Sequence, residues 1–522
     1  MYAILINQSF FLFFMSHSRV LDLGRGDSLK LLLHDTLKKG KQCLVFVNSK
    51  RSAEKEAEVA SGHLNHSSPE LADLSEKVLR VLGHPTVQCT RLANCIRGGT
   101  AFHHAGLHHD QRELVEDAFR SGIIKVIAST PTLAMGLDLP AFRSIIRDAK
   151  RYTRNGMEFI PVLEYAQMCG RAGRPRFDSC GEAILIASSE SDRDILLETF
   201  VRGTPEDILS KLAVEPVLRT YVLSLVASGV VRTMSVLKDF FRRTFWSFQF
   251  QDEKQLFSIL ERVGELLVEK GFLIVKGDSL SATLLGSRVA ELYIDPLTAS
   301  HLLDCCDSSL EKPSALALLQ VVNTCMEARP LLNFSTKEFD DLSERSSDLQ
   351  KSMIVSEPSM FDGEYEDYLQ ALKTSFFFAD WIDEVSEEEL LERYKSRPGE
   401  TRARIATLDW LLYSFGELSR MQKKFFLVSE IQKLRVRLEY GAKEELLPLL
   451  DLRGVGRVRA RVLFRNGIKN MGILKATSLE SLSQLLGPAV AKSILSQVRD
   501  EVEKVPDGKR KGQLGLSKFD ED

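Results

Sequence analysis

The sequence predicts a multidomain α/β plus α protein, in which a domain built on a parallel β-sheet precedes several mostly helical domains. Three observations support this fold class. The chain has 522 residues, which is more than a single hydrophobic core normally serves. Over residues 19–200 short β-branched runs alternate with amphipathic helical patterns, and this alternation is typical of parallel sheets covered by helices. After residue 200 strand patterns become rare and helical patterns dominate.

The sheet domain is defined by three strand patterns and the helices between them. The runs "CLVFV" (Cys43–Val47), "KVIAS" (Lys125–Ser129) and "EAILIA" (Glu182–Ala187) are rich in branched apolar residues and predict buried strands. The stretch "DQRELVEDAFRSG" predicts a helix that is capped by Asp110 and ends at Gly122. Strands and helices in this order predict parallel pairing.

A small hairpin follows the next group of helices. The stretch "GFLIVKGDSLSATLLG" contains two short strand patterns around a Gly-Asp turn, and helices that end in such a hairpin predict a winged helix. The later residues are helical, with breaks near Pro358 and Pro398. The predicted domains after residue 200 are a winged helix at 201–290, a helical domain at 291–435, a domain of short helices with glycine turns at 436–505 and a disordered tail at 506–522.

Both termini and the overall composition limit the function classes. The apolar start "MYAILINQSFFLFF" is too short to span a bilayer and has no cleavage signal, so we expect residues 1–18 to be a non-native extension and expect no membrane partner. The net charge of −3 restricts any nucleic-acid site to local basic patches. Eight cysteines without a CxxC pair predict a reducing, cytoplasmic location. Four clustered histidines lack supporting ligand spacing, so we expect no metal site.

Two loop motifs in the sheet domain suit phosphate chemistry. In "ASTPTLAMGLDLP" (Ala128–Pro140), Thr130 offers a hydroxyl, Gly136 permits close backbone approach, and Asp138 adds a carboxylate. In "QMCGRAGRP" (Gln167–Pro175), two arginines stand three residues apart, and guanidinium forks stabilise the charge on a transferring phosphoryl group. The alternative, an ordinary turn followed by a surface arginine pair, leaves the combined spacing unexplained.

A predicted hairpin lies between these motifs. In Ser144–Tyr165 alternating residues flank "RNG", which is a hairpin-turn signal. Arg147, Lys150, Arg151 and Arg154 make this stretch basic. The alternative is an edge hairpin whose charges are merely solvated.

Two further segments have features of nucleic-acid contact. "PGETRARIATLDWLLYSFGELSR" predicts an amphipathic helix with Arg402 and Trp410, which could hold a phosphate and stack on a base; Trp410 in a core is equally compatible. By contrast, Trp381 is expected in the core. "LLDLRGVGRVRARVLFRNGI" has the signature of a helix–hairpin–helix, with Gly454 and Gly456 forming a turn that suits a phosphate. Its basic residues predict DNA contact without sequence preference, and they include Arg457, Arg459 and Arg461.

The four stretches "CLVFVNSKRSAEK", "AFHHAGL", "ASTPTLAMGLDLP" and "QMCGRAGRP" resemble motifs IV, IVa, V and VI of superfamily 2 helicases. Their order and wording are similar to the Ski-like branch, and most similar to the archaeal Hjm-type DNA helicases. The resemblance extends from about residue 21 to about residue 505. It implies that the sheet domain is a second RecA-like motor domain, followed by a winged helix, a helical ratchet domain and a helix–hairpin–helix domain.

The resemblance also implies roles for individual residues. Arg171 and Arg174 would be arginine fingers on the γ-phosphate, with Gln167 assisting, and Gly136 and Asp138 would lie near the nucleotide sugar. ATP and Mg²⁺ would be the cofactors. The expected DNA contacts are Asn48, Ser49, Thr130, Arg147, Arg151, Arg402, Trp410, Gly454, Gly456, Arg457, Arg459 and Arg461. The hairpin would separate the strands of a duplex at a fork.

One departure from the family pattern leaves two functions open. The sequence contains no GxxxxGK[ST] and no DExH, so the expected site is one half of a split site and we predict no ATP hydrolysis by this chain alone. The first interpretation is an ATP-dependent 3′-to-5′ DNA helicase that acts on forked DNA during repair or replication restart. The alternative is a non-catalytic protein that binds single-stranded and forked DNA. Motifs IV to VI do not distinguish a DNA substrate from an RNA substrate. The helix–hairpin–helix favours DNA and hence a nucleoid-associated location.

The polar tail carries one further pattern. "QLGLSKF" places Gln513, Leu516 and Phe519 in the spacing of a sliding-clamp peptide. Asp520 stands where a second aromatic residue is usual. A disordered tail without a partner is therefore the simpler interpretation.

Overall fold

The computed structural model describes residues 2–9, 17–22, 27–64, 67–82, 85–134, 139–153, 156–173, 178, 180–212, 214–308 and 312–503. The chain forms two compact units. The first comprises Met1–Pro296 together with Ser386–Ala406, and the second comprises Leu297–Val385 together with Thr407–Asp522. The sequence did not predict that residues 386–406 belong with the sheet domain.

The first part of the first unit is an α/β sheet domain. Its strands are β1 (Tyr2–Ser9), β2 (His17–Asp22), β3 (Cys43–Phe46), β4 (Thr100–His103), β5 (Val126–Ser129), β6 (Arg143–Ile146), β7 (Lys150–Thr153), β8 (Gly156–Phe159) and β9 (Cys180–Ala187). Its helices are α1 (Ser28–Lys38), α2 (Lys50–Leu64), α3 (Pro69–Arg80), α4 (Val87–Arg97), α5 (His109–Arg120), α6 (Val162–Cys169) and α7 (Glu190–Leu196).

The described strands of the main sheet have the order β2-β1-β9-β6-β3-β5-β4. Strands β9, β6, β3, β5 and β4 pair in parallel, as the alternation of strands and helices predicted. All residues of β3, β4, β5 and β6 are buried, because helices cover both faces of a parallel sheet. Strands β3 and β5 pair with Phe46 opposite Ser129. The residues of motifs IV and V that follow these two strands therefore start from neighbouring positions.

Two details of this domain differ from the sequence expectation. Strand β1 lies in the sheet, antiparallel to β9 with Ile4 opposite Leu185, although residues 1–18 were expected to be foreign to the fold. The side chain of Ile4 in this strand is fully buried in the core of the domain. Helix α5 begins two residues earlier than expected and is capped by His108 in place of Asp110; the His108 ring accepts the backbone N–H of Asp110 at 3.3 Å.

The rest of the first unit up to residue 296 consists of helices and a hairpin. The elements are α8 (Glu215–Ala227), α9 (Met234–Arg242), α10 (Phe245–Phe250), α11 (Glu253–Glu269), β10 (Leu273–Lys276), β11 (Ser279–Ala282) and α12 (Leu284–Leu292). Strands β10 and β11 pair antiparallel around the Gly-Asp turn. The order of helices and hairpin is the predicted one, and its assignment as a winged helix stays an interpretation.

The remaining described elements are helices. They are α13 (Pro296–Asp307), α14 (Ala315–Asn323), α15 (Thr336–Leu349), α16 (Tyr365–Ile382), α17 (Glu387–Tyr394), α18 (Pro398–Met421), α19 (Phe425–Tyr440), α20 (Leu447–Leu450), α21 (Arg457–Arg465), α22 (Met471–Ala476), α23 (Leu479–Leu486) and α24 (Pro488–Glu503). None of the helices within the described ranges combines the length and the apolarity that crossing a membrane requires.

The second unit contains Trp381 in its core, as predicted. This indole is 1% exposed, and its Nε1 donates to the Leu438 carbonyl at 2.7 Å. Gly441 ends α19 with φ +62°, and a Cβ there would lie 2.6 Å from the indole, so both conformation and space require glycine. Residues 442–498 build a separate hydrophobic core.

Candidate nucleotide site and nucleic-acid interface

The two loop motifs of the sheet domain lie side by side. Ala141 and Ala172 form a parallel bridge, in which the backbone N–H of Ala141 donates to the carbonyl of Arg171 at 2.9 Å. A Cβ at Gly181 would lie 2.4 Å from the backbone of Ala172 and Gly173, so a residue without a side chain is required under this bridge. The arginine loop is thereby fixed to the residues that follow the Thr130 loop.

Arg171 reaches across to the end of the Thr130 loop. Its guanidinium donates through Nε to the carbonyl of Ala134 at 3.1 Å and through Nη2 to the same oxygen. Thr130 and Thr132 share a hydrogen bond of 2.9 Å between their hydroxyls at the surface. The structure therefore brings the loops of Arg171 and Thr130 into one region of the domain.

Gln167 supplies a second feature of this region. Its Oε1 is buried and has no hydrogen-bond partner among the described residues. A buried acceptor without a donor costs about 1–3 kcal/mol, so a ligand hydroxyl or amino group there would restore the lost hydrogen bond. This orphaned acceptor fits a nucleotide in the region. Gly136, Asp138 and Arg174 lie outside the described residues.

Asn48 and Ser49 begin the segment between β3 and α2. The backbone N–H of Asn48 donates to Asp148 Oδ2 at 3.2 Å, and its side-chain amide donates to the Lys150 carbonyl at 3.1 Å. Ser49 Oγ accepts the backbone N–H of Ser52 at 3.1 Å. Asn48, Arg147 and Lys150 line a cleft of about 370 Å³, so the predicted DNA contacts Asn48 and Arg147 share one surface.

The predicted hairpin is present as β7 and β8, with Tyr152 opposite Met157. Both of these side chains are strongly exposed, at 81% and 60%. The sequence prediction emphasised the charges and missed this apolar pair, although the alternation of the strands points Tyr152 and Met157 to the same face. An exposed aromatic residue near a hairpin tip is suited to stacking on a base. Arg154 lies outside the described residues.

The arginines of this region are ion-paired. Arg151 contacts both carboxylate oxygens of Glu164 at 3.1 and 2.9 Å, and Arg147 contacts Glu56 at 2.8 Å. Burial raises the pKa of Glu56, and the charge of Arg147 opposes that rise. Each arginine would have to exchange or share its carboxylate to bind a phosphate.

Helix α18 contains the residues that were predicted to contact a single strand of DNA. Ala403 and Ala406 are exposed, and Arg402 and Trp410 are half-buried. Arg402 lies 3.7 Å from Glu387. Burial lowers the pKa of Arg404, a cation on the same helix that the sequence prediction did not single out. The exposed small residues leave room for a strand to approach this helix.

Some cations of the basic C-terminal segment contact other side chains of the protein, and others are exposed. Arg461 contacts Glu384 through two hydrogen bonds of 2.8 and 2.6 Å and contacts Glu445 at 2.6 Å; these hydrogen bonds raise the pKa of Arg461. The guanidinium of Arg457 lies 4.7 Å from the centre of the Trp381 ring. Both residues were predicted as DNA contacts, and both have partners in the second unit; their role in DNA binding stays a prediction.

The glycine turn before α21 remains open. Gly454 has φ +82°, and a Cβ at Gly454 or Gly456 would meet nothing within 4 Å. Arg459 is exposed and donates to the Gly454 carbonyl. Open space at a helix N-terminus suits a phosphate. The other exposed cations of this segment are Arg453, Arg465 and Lys469.

Two of the clustered histidines, which were not expected to bind a metal, are paired with carboxylates. His103 Nε2 lies 2.9 Å from Glu116, and His104 Nε2 lies 3.3 Å from Glu54. Both pairs are buried within the sheet domain. His109, Asp110 and Glu113 approach one another on the surface of α5, where exposed groups of this kind are common without a metal.

Comparisons with known proteins find matches in both units. Residues 85–176 match the helicase conserved C-terminal domain, and residues 316–441 match the archaeal helicase domain 4. The ATP-dependent DNA helicase Hel308 of Pyrococcus abyssi is 37% identical over 499 residues, which cover 94% of this chain and 68% of that protein. The Hel308 protein of Methanocella arvoryzae is 38% identical over 506 residues, covering 94% and 67%.

These matches identify the family more closely than the sequence motifs did. The resemblance pointed to Hjm-type helicases, whereas the matched relatives are Hel308 proteins. The identity extends through both units and exceeds 30% over more than two thirds of the Pyrococcus abyssi relative. The chain therefore belongs to the Hel308 family of archaeal superfamily 2 helicases.

Proposed function

We propose that these residues form the second motor domain and the DNA path of an ATP-dependent 3′-to-5′ DNA helicase that acts on forked DNA. The observation that carries this proposal is the fixed pairing of the Arg171 loop with the Thr130 loop, beside the unpartnered Gln167 Oε1. Relatives named ATP-dependent DNA helicases cover the same residues. A repair or replication-restart role agrees with fork binding.

The nucleotide would lie against the loop pair. A bound ATP with Mg²⁺ supplies the phosphoryl group whose hydrolysis drives movement. Arg171 is suited to stabilise negative charge there, and Gln167 offers an acceptor to a hydroxyl or amino group. We propose Arg174, Gly136 and Asp138 as further members of this site on the family resemblance.

Three separate elements are proposed to contact DNA, namely the hairpin, helix α18 and the glycine turn. Tyr152 and Met157 would stack at the point where a duplex separates, and Arg402, Ala403 and Trp410 would follow one strand. The turn at Gly454 and Gly456 would hold a phosphate. The assignments of a winged helix, a ratchet domain and a helix–hairpin–helix are parts of this proposal.

A second candidate function rests on the sequence itself. The 522 residues contain no GxxxxGK[ST] and no DExH, so a protein that only binds single-stranded and forked DNA remains the alternative. The two functions differ in one respect: only a helicase half would restore ATP hydrolysis when a phosphate-binding motor domain is added.

Salt dependence tests the proposed DNA interface. We expect the chain to bind single-stranded and forked DNA, and the four exposed cations Arg453, Arg459, Arg465 and Lys469 predict about four phosphate contacts. A logarithmic plot of affinity against salt should then have a slope of about −3 on single strands. Fluorescence anisotropy with labelled oligonucleotides measures this slope. A salt-independent affinity would contradict an interface built on phosphate contacts.

A matched pair of arginine variants separates DNA contact from internal packing. Arg459→Ala should weaken DNA binding across all sequences by about 3–10-fold, because it removes one exposed phosphate contact. Arg461→Ala should instead lower the midpoint of thermal unfolding, because it leaves Glu384 and Glu445 without their cation. Anisotropy and a thermal melt of each variant are the two measurements. Equal loss of DNA affinity without any loss of stability in both variants would show that Arg461 also contacts DNA.

A further inference from the structure

The segment Ser386–Ala406 is attached to the sheet domain by contacts from several positions, although in sequence it lies between the two parts of the second unit. Glu388 accepts the backbone N–H of Val87 at 2.9 Å, at the start of α4. Lys50 forms an ion pair with Glu400 in the first turn of α18. These contacts reach different elements of the sheet domain, so the segment is held at more than one point.

The closest approach between this segment and the sheet domain is made by backbone atoms. The N–H of Gly399 donates to the carbonyl of Gly106 at 3.1 Å. A Cβ at Gly399 would lie 2.2 Å from the carbonyl oxygen of Leu107 and 2.5 Å from that of Ala105. No side chain fits this gap without moving one backbone from the other. The start of α18 therefore lies directly on the loop Ala105–Leu107, which belongs to the motif "AFHHAGL".

A buried carboxylate reinforces this attachment. Glu54 is 3% exposed and contacts Gln88 at 2.9 Å, Arg91, and both His104 and Arg397 at 3.3 Å. Burial alone would raise the pKa of Glu54, but hydrogen bonds from His104 and Gln88 and the charge of Arg397 lower it to about 2. Glu54 is thus a fixed anion that joins α2, α4, the histidine loop and the segment before α18.

The tautomer of His104 connects the carboxylate to the loop. Its Nδ1 accepts the backbone N–H of Gly106 at 3.1 Å, so in the neutral ring the proton lies on Nε2, which is 3.3 Å from Glu54 Oε1. Burial lowers the pKa of His104, which keeps this ring neutral near pH 7. The same histidine therefore orients both Glu54 and the loop that Gly399 contacts.

From these contacts we propose that Arg397, Gly399 and Glu400 are positioning residues that fasten the first turn of α18 to the loop Ala105–Leu107. The exposed positions Ala403 and Ala406 follow one and two turns later on the same helix. Fastening at Gly399 makes this DNA-facing part of α18 move with the sheet domain that carries Arg171. The inference rests on the proposed function, because it assigns a task to a helix that contacts DNA.

Hydrogen exchange on the 522-residue chain tests the fastening. The amide of Gly399 and the amides of Gly106 and Leu107 are the reporters, and the probe is a single-stranded oligothymidine. We expect DNA to slow exchange at these amides at least threefold in the wild type. Gly399→Ala should bind the same DNA within about threefold and lose this protection, whereas Gly62→Ala, whose Cβ would meet nothing within 4 Å, should keep it.

A charge exchange provides a second test that does not depend on the glycine. Lys50→Glu alone should lose the protection, and Lys50→Glu combined with Glu400→Lys should regain it, since only a positioning contact is rescued by reversing both charges. DNA binding without DNA-dependent protection in the wild type, or equal protection in Gly399→Ala and Lys50→Glu, overturns the inference alone. A wild-type chain that binds no DNA overturns the proposed function and this inference with it.

Discussion

Arg171→Ala is expected to lower DNA-stimulated ATP turnover by about 10³-fold or more when these residues act together with a phosphate-binding motor domain. A guanidinium that stabilises charge on the transferring phosphoryl group commonly contributes this much. Affinity for DNA should stay within about twofold, because Arg171 contacts the Ala134 carbonyl and none of the proposed DNA-contacting side chains. Steady-state ATP hydrolysis at saturating DNA measures the effect.

Arg97→Ala is the matched control for this prediction. Arg97 lies in the same domain, is about half exposed, and forms surface contacts with Glu76 at 3.4 Å and with Asn94 at 3.3 Å. Its removal should leave ATP turnover unchanged. Equal turnover in Arg171→Ala and Arg97→Ala would exclude Arg171 from the nucleotide site.

Arg143→Ala is expected to destabilise the sheet domain by about 3 kcal/mol, the lower end of the cost of breaking a buried ion pair. Arg143 is 3% exposed and donates to Glu182 at 2.8 Å, Asp35 at 2.7 Å and the carbonyl of Leu32 at 2.8 Å. Its removal leaves Glu182, which is 15% exposed in its side chain, without this cation. Asp35 is half exposed and is resolvated at lower cost.

Hydrogen exchange of the amides in β3 and β6 measures this loss, because core amides report the free energy of opening of their own domain. Arg97→Ala again serves as the control and should change that free energy by no more than about 0.5 kcal/mol. A loss below about 1 kcal/mol in Arg143→Ala would mean that water replaces its hydrogen bonds without penalty.

The main elements of the sheet domain could be predicted because local pattern and burial agree. Cys43–Phe46 and Val126–Ser129 are apolar throughout and form fully buried parallel strands. Strand β1 was not predicted, because its position depends on pairing with β9, in which Asn7 lies opposite Glu182, 175 positions later in the chain. Pairing at that distance leaves no local sequence pattern.

Those residues of the candidate site that belong to sequence motifs could be predicted. The residues whose contacts depend on partners far away in the sequence could not. The Arg171 and Thr130 loops meet as expected. The cations Arg147, Arg151 and Arg461 were expected to be available for DNA, and each is paired with a carboxylate. A basic residue count in the sequence contains no information about such partners, because Glu384 lies 77 positions before Arg461.

The attachment of residues 386–406 illustrates the same limit. Pro398 correctly indicated a helix start, since α18 begins there. That the first turn contacts the loop Ala105–Leu107 depends on the missing side chain of Gly399 and on Glu54, which is 343 positions from Arg397. Glu54 lies in the motif IV stretch and Gly399 in the predicted helix, but neither local pattern contains information about the distant partner.

The most direct test of the central claim is ATP hydrolysis by these 522 residues with and without an added superfamily 2 motor domain that carries GxxxxGK[ST] and DExH. Phosphoryl transfer requires a phosphate cradle, a metal-holding carboxylate and charge stabilisation together, and the proposed site supplies the last. We predict no DNA-stimulated hydrolysis by the chain alone and restored hydrolysis in the mixture. DNA-stimulated hydrolysis by the chain alone, abolished by Arg171→Ala, would contradict the division of the nucleotide site between two motor domains.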